Sequence, residues 1–209
     1  MTEQVKVFRS IRPLDRRHLV RGQFAGYRRE PGVAGGSNVE TFAAVRLHVD
    51  SWRWDGVPFL IRAGKCLPVT ATEVVVTLKR PPLLHLSADA RNTLCFRLSP
   101  DVSITLGARV KQEGEQMVSE GAELKFVRRP TADELDAYER LLVDAMADDA
   151  TLFAREDGVE AAWSVVQPIL DDPTPVREYA PGTWGPEEAA ALTADVGGWH
   201  APLGSPPVP

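Results

Sequence analysis

Apolar and polar positions alternate with a period of two through much of the first two-thirds of this chain. They recur at helical spacing in the remainder. Residues 41–50 show the alternation most plainly: Val45, Leu47 and Val49 are interleaved with Arg46, His48 and Asp50. That pattern predicts a half-buried strand with one wet face, or one face waiting for a partner. Residues 4–9 set Val5 and Val7 against Lys6 and Arg9, with Phe8 breaking the period, and read as a strand. Residues 19–27, carrying Arg21-Gly22-Gln23-Phe24, read as a second. Phe59-Leu60-Ile61 is a short apolar run, as expected of a strand buried on both faces. Residues 73–79 hold Val74-Val75-Val76-Thr77-Leu78, a strand by β-branched content, with Pro81-Pro82 ending it. Residues 93–98, 103–106 and 123–127 continue the series, and Pro100-Asp101 turns between the first two. Strand after strand without intervening helices points to an antiparallel sheet.

The pattern then changes. Pro130-Thr131 is a helix start, with Asp133 and Glu134 favourable at its positive end. Leu135, Tyr138, Leu142 and Ala145-Met146 follow at helical spacing. A second helix is predicted over 157–170, capped by Asp157, with Val159, Ala162-Trp163, Val166 and Ile169-Leu170 on one face. Pro173 and Pro175 stop it. The stretch from Tyr179 to Pro186 reads as an irregular docking segment. A short helix over 187–196 follows, with Pro186 near its first position. Strands first and helices after give an α+β fold: a large, mostly antiparallel β-sheet with helices packed on one side. The expected organisation is one domain over 1–199 and a flexible tail over 200–209, rich in Pro and Gly.

Composition narrows the function. Against 24 Lys and Arg stand 29 Asp and Glu, a net charge of −5, which argues against nucleic acid or a membrane as the main partner. A chain of 209 residues can bury a core without disulfides or metal. Cys66 and Cys95 fit no metal-ligand spacing, and no metal site is expected; a reduced, cytoplasmic protein is the simple reading. No signal segment opens the chain, and no apolar run approaches membrane-spanning length. Gly32-Val33-Ala34-Gly35-Gly36 has neither dinucleotide nor Walker spacing, so residues 31–38 read as a surface loop. His48 falls on the polar side of its strand, with no carboxylate partner evident in the sequence.

Candidate chemistry gathers between Trp54 and Lys65. Asp55-Gly56 is turn chemistry. Pro58 suits the first residue of a strand, where its missing N–H does least harm. Arg62 and Lys65 bring positive charge to the strand end, and Gly64 lets the backbone turn. A cation on a rigid strand end can meet an anionic small molecule. A solvated turn lysine fits the same spacing, and spacing alone leaves both open.

Read in order, these residues resemble a known family, the C-terminal domain of glucose-6-phosphate dehydrogenase. The resemblance runs from about Gln4 to Trp199. It is carried by Val5-Lys6-Val7, Arg21-Gly22-Gln23-Phe24, Thr41-Phe42-Ala43-Ala44 and Trp54-Asp55-Gly56-Val57-Pro58-Phe59. Arg62-Ala63-Gly64-Lys65 and Thr72-Glu73-Val74-Val75 continue it. Further on come Asp136-Ala137-Tyr138-Glu139-Arg140-Leu141-Leu142-Val143-Asp144, Ala162-Trp163 and Gly182-Thr183-Trp184-Gly185-Pro186. Each piece alone is weak; the ordered set is specific.

The resemblance implies a reaction: oxidation of glucose 6-phosphate to 6-phosphogluconolactone with reduction of NADP, opening the oxidative pentose phosphate pathway. It implies that NADP is bound through an N-terminal Rossmann domain that these residues do not include. It implies a catalytic histidine in an upstream His-Tyr-Leu-Gly-Lys type motif. His18, His48, His85 and His200 match none of the family's catalytic positions, so no catalytic residue is assigned. Lys65 is implied to contact the sugar phosphate, while Thr70 stands where a second basic residue is usual. Arg62 and Arg97 correspond to arginines that hold a structural NADP in some members, although Ser99 and Ala71 lack the side chains expected beside them. The implied partners are glucose 6-phosphate, a second copy of the chain through the sheet, and a separate Rossmann domain or full-length dehydrogenase. The chain is then the substrate-side and oligomerisation domain of a dehydrogenase, incomplete as a catalyst by itself. The alternative is a free-standing, non-catalytic module that dimerises or modulates a complete dehydrogenase.

Overall fold

The alternating stretches become strands, and among the described residues the strands sort into two four-stranded sheets. Each sheet belongs to one of two compact units. The first unit comprises Met1–Pro68 and Leu135–Trp199; the second comprises Val69–Glu134 and His200–Pro209. The computed structural model describes residues 3–79, 91–111, 113, 119–128, 137–171 and 174–202. The expected strand stop at Pro81-Pro82, His85, the helix start from Pro130 to Leu135, Asp136, Pro173 and the tail from residue 203 lie outside them. The strands are β1 (Leu19–Phe24), β2 (Phe42–His48), β3 (Pro58–Gly64), β4 (Thr72–Thr77), β5 (Thr93–Ser99), β6 (Ser103–Lys111), β7 (Ser119–Val127) and β8 (Val176–Tyr179). The helices are α1 (Glu3–Ser10), α2 (Ala137–Met146) and α3 (Glu156–Asp171). The α+β class with mostly antiparallel strands holds, its strands divided between two sheets.

In the first unit the order is β3-β2-β1-β8. β2 pairs antiparallel with β1 and β3, and β8 joins β1 in parallel. Period-two alternation sends Phe42 and Ala44 to one face of β2, and Val45 and Leu47 to the other. Phe42 and Ala44 are buried with Tyr179, Ala189 and Leu192. Val45 and Leu47 pack against Leu14, Leu19, Val165 and Ile169. The wet face expected of β2 is therefore covered. Arg46 grips Asp195 bidentately, at 2.6 and 2.8 Å, and reaches the Leu192 carbonyl at 3.2 Å. The covering segment is a 3-10 helix, Glu187–Thr193, entered through Pro186.

Three further expectations change. Residues 4–9 form helix α1, not a strand. Val5 and Phe8 stand three apart on one helical face; Val5 is 1% exposed and Val7 47%. α1 packs against α3, and that contact overrides a weak two-residue alternation. Second, β3 is not buried on both faces: it is an edge strand, and Ile61 is half exposed. Third, the buried stripe of α3 is Ala161, Val165 and Ile169, while Val159 and Trp163 are exposed. Asp157 lies inside the first turn, where Arg155 binds its carboxylate and pulls its pKa down. The carbonyl of Arg155 accepts from Gly158 and Val159.

The second sheet is an antiparallel meander in the order β4-β5-β6-β7. Register lines up two apolar rows across it. One is Val74–Phe96–Ile104–Phe126; the other is Val76–Leu94–Leu106–Leu124. The opposite face carries Glu73–Arg97–Ser103 and Val75–Cys95–Thr105–Lys125.

The corrected face of α3 makes a stability prediction. Val165→Ala, on the observed face alone, should lower the unfolding free energy by about 1–3 kcal/mol, as for a buried aliphatic cut to alanine. Val159→Ala should change it by less than about 0.5 kcal/mol. Urea denaturation of both variants decides between the faces, and a larger loss at Val159 would restore the sequence-predicted one.

Candidate functional site

The turn chemistry ahead of β3 forms as expected. Gly56 takes φ 70, and Pro58 opens the strand. β3 ends at Gly64, and Lys65 follows with its side chain exposed. The backbone around that lysine is held from several sides. Its N–H donates to the Thr41 carbonyl at 2.8 Å, extending the β2–β3 ladder by one step. Its carbonyl accepts the phenolic hydroxyl of Tyr179 at 2.7 Å. The next carbonyl, of Cys66, accepts from the Gly182 N–H at 2.8 Å. Cys66 sits at φ 52, an uncommon left-handed position for a residue with a Cβ. The Tyr179 hydroxyl also lies 3.2 Å from the Thr41 hydroxyl and 3.3 Å from the Thr41 carbonyl. Burial pushes the Tyr179 pKa up, so the phenol stays protonated and able to donate.

The segment Gly182-Thr183-Trp184-Gly185-Pro186 closes this corner. Gly185, at φ 97, leaves room for the Phe42 ring, which a Cβ there would meet at 2.2 Å. Gly64 also lets the same ring come close; an added Cβ would stand 2.8 Å from it. Phe42 is thereby locked between the strand end that carries Lys65 and the C-terminal segment. The backbone of Lys65 is fixed while its ammonium points outward, which is what recognition of an anion by a point charge requires.

Arg62 takes a different role. Its guanidinium carbon lies 4.4 Å from the Trp184 ring centroid and 5.1 Å from that of Trp199. Such contacts stabilise by about 0.5–2 kcal/mol. Burial lowers its pKa from the ordinary value. Trp199 is itself held by its indole N–H on the Ala189 carbonyl, at 2.8 Å. Arg97 lies in the second unit, buried, with its Nε 2.7 Å from Glu73 Oε1. The two arginines therefore belong to different units, and both have protein partners. Thr70 is exposed in the second unit. His18 and His48 lie near each other, ring centroids 6.0 Å apart. Burial, followed by Arg46, His18 and Arg12, depresses the His48 pKa. His200 bonds Glu73.

A cavity of about 570 Å³ opens on the α3 side of the first sheet, lined by Val45, Leu47, Ile61, Val165 and Ile169 among others. Lys65 is not in its lining. Tyr179 and Thr41, which fix the lysine backbone, were not singled out from the sequence as site residues. The one available signal was a tyrosine ahead of a Gly-rich turn.

Removing the Tyr179 hydroxyl tests this corner. Tyr179→Phe leaves the Lys65 carbonyl without its donor and should cost about 1–3 kcal/mol in denaturant unfolding. Unchanged stability would mean that the phenol does not hold the strand end.

A family model described as glucose-6-phosphate dehydrogenase, C-terminal domain, matches residues 1–200. Glucose-6-phosphate 1-dehydrogenase 1 of Mycobacterium tuberculosis (strain ATCC 25618 / H37Rv) is 38% identical over 206 residues, covering 96% of this chain and 43% of that protein. Glucose-6-phosphate 1-dehydrogenase of Aggregatibacter actinomycetemcomitans is 39% identical over 223 residues, covering 97% and 45%. Among solved structures, glucose-6-phosphate 1-dehydrogenase from Mycobacterium avium matches with a TM-score of 0.85 at 39% identity, over 95% of this chain and 43% of that one. A glucose-6-phosphate dehydrogenase in complex with glucose 6-phosphate matches with a TM-score of 0.75 at 25% identity, over 95% and 44%. The chain thus spans less than half the length of the relatives it matches.

Proposed function

The chain belongs to the family of glucose-6-phosphate dehydrogenase C-terminal domains, and from that premise we propose that it is the substrate-side and oligomerising half of such a dehydrogenase. The reaction is oxidation of glucose 6-phosphate to 6-phosphogluconolactone with reduction of NADP. The observation that carries the reading is the fixed backbone of Lys65 beneath an exposed ammonium. The ammonium makes a charge-assisted hydrogen bond to the sugar phosphate and orients the sugar for hydride loss. Thr70 adds no second cation. The 209 residues hold no His-Tyr-Leu-Gly-Lys motif, so the proton acceptor comes from outside them. NADP serves the whole enzyme as hydride acceptor. The arginines that would hold a nucleotide on this chain do not suit one: Arg62 is stacked on two indoles and Arg97 is buried against Glu73. A reduced, cytoplasmic setting suits two free cysteines. Among the described residues, no helix is long and apolar enough to cross a membrane.

The second sheet supplies the self-association surface in this reading. The alternation of Val45, Leu47 and Val49 cannot, since β2 is covered on both faces. The apolar rows of the second sheet leave Val74 51%, Leu124 54% and Phe126 61% exposed. A flat, exposed apolar sheet face of this kind fits a second copy of itself.

Three experiments test the proposal. The chain alone should give no glucose-6-phosphate-dependent NADP reduction. Joined to an N-terminal dehydrogenase half, the Lys65→Ala enzyme should lose roughly ten- to hundredfold in kcat/KM for glucose 6-phosphate, the value of one bond to a charged group, with KM for NADP unchanged. An unchanged kcat/KM would remove Lys65 from the site. In sedimentation velocity the chain should run as a dimer in both low and high salt, and Phe126→Glu as a monomer. A dimer that survives the charge would place the contact elsewhere.

A further inference from the structure

Three donor side chains of different chemistry meet on the polar face of the second sheet. A carboxylate oxygen of Glu73, the Cys95 thiol and a His200 ring nitrogen all lie within 4.8 Å of one another. Register explains the first two. Glu73 pairs with Arg97, and Cys95 stands two residues before Arg97 on the same strand, so alternation puts all three on one face. The ladder slips between Thr72 and Glu73, an irregularity of the kind that re-aims a side chain. His200 arrives from the C-terminal segment, its Nε2 3.1 Å from Glu73 Oε2. The Glu73 side chain is only 7% exposed, and its other oxygen, Oε1, accepts from Arg97 Nε at 2.7 Å.

We propose that Glu73 Oε2, Cys95 Sγ and His200 Nε2 form a three-ligand site for a borderline-soft divalent transition metal, zinc above all. The donor set chooses the ion. A thiolate and an imidazole suit zinc, whereas calcium and magnesium take oxygen ligands. Donors around a tetrahedral zinc stand roughly 3.4–3.7 Å apart, given its bond lengths of about 2.0–2.3 Å. The widest separation must therefore close by about 1 Å, and the half-exposed His200 side chain has the freedom to close it. On binding, the Cys95 thiol releases its proton, and His200 coordinates as neutral imidazole through Nε2 with its proton on Nδ1. The two anionic ligands, Glu73 and the Cys95 thiolate, balance the ion. Arg97 stays on Oε1 and orients the carboxylate as an outer-shell partner. Water fills the fourth position. The ligands are scattered through the sequence, so no spacing motif announces them.

The test uses the full, untagged chain, stripped with chelator and titrated with Co²⁺ as a spectroscopic stand-in for zinc. Saturable visible bands of tetrahedral cobalt and a thiolate-to-cobalt charge-transfer band are expected, with Zn²⁺ displacing both. Cys95→Ser should remove the charge-transfer band. His200→Ala, at the half-exposed end of the site, should weaken binding by more than about tenfold without unfolding the sheet. Cys66→Ser, at the exposed cysteine of the first unit, should leave both unchanged. Absence of saturable binding to the folded chain, a charge-transfer band lost with Cys66 instead of Cys95, or full affinity in His200→Ala would overturn the proposal.

Discussion

The hydroxyl of Tyr179 is the contact on which the first unit turns. It lies where β8 ends beside β1, and it reaches both Thr41, just before β2, and Lys65, just after β3. All four strands of that sheet thus converge near one buried phenol. The Phe42 ring beneath it needs both Gly64 and Gly185, because a side chain at either would enter the ring's space. Hydrogen bonding fixes the direction of the backbone and ring packing fixes its depth. Either alone would leave the strand end free to pivot, and a pivoting strand end cannot hold a charge in one place.

The two arginines of β3 and β5, one in each unit, differ from the lysine in their head groups. A guanidinium is planar and weakly hydrated, so it stacks on indoles or lies along a carboxylate in a dry setting. Arg62 does the first and Arg97 the second. An ammonium is compact and strongly hydrated, and Lys65 keeps its own in water. The chemistry of the head group separates structural cations from an available one more sharply than sequence position does.

What the sequence made legible was local. The β-branched run 74–78, the turn at Asp55-Gly56, Pro58 at a strand start and Lys65 at its end are all decided within a few residues. What it hid was decided at long range. The polar side of β2 looked wet because Arg46 meets Asp195 only after nearly the whole chain has folded back. Val5 and Val7 looked like a strand because the packing of α1 against α3 is not visible in six residues. Trp163 drew the buried face of α3 toward itself by size, yet the smaller Ala161, Val165 and Ile169 are the buried ones. The division into two sheets was invisible for a similar reason, since alternation marks strands but not which strands pair. Lys65 could be placed from its neighbours, whereas the phenol that holds it comes from the far end of the chain.

The parallel pairing of β1 with β8 has a consequence in time. Arg21 faces Val176, and Phe24 faces Tyr179. The first unit therefore begins before the second, is interrupted by Val69–Glu134 of the second unit, and closes only when β8 leaves the ribosome. The second sheet is a meander of neighbours and can form on its own schedule while the first still lacks its edge. During that interval β1 presents a bare strand edge to the cell, with only the slow return of a distant segment to cover it. A strand from the interior of the first sheet is thus the last to be protected.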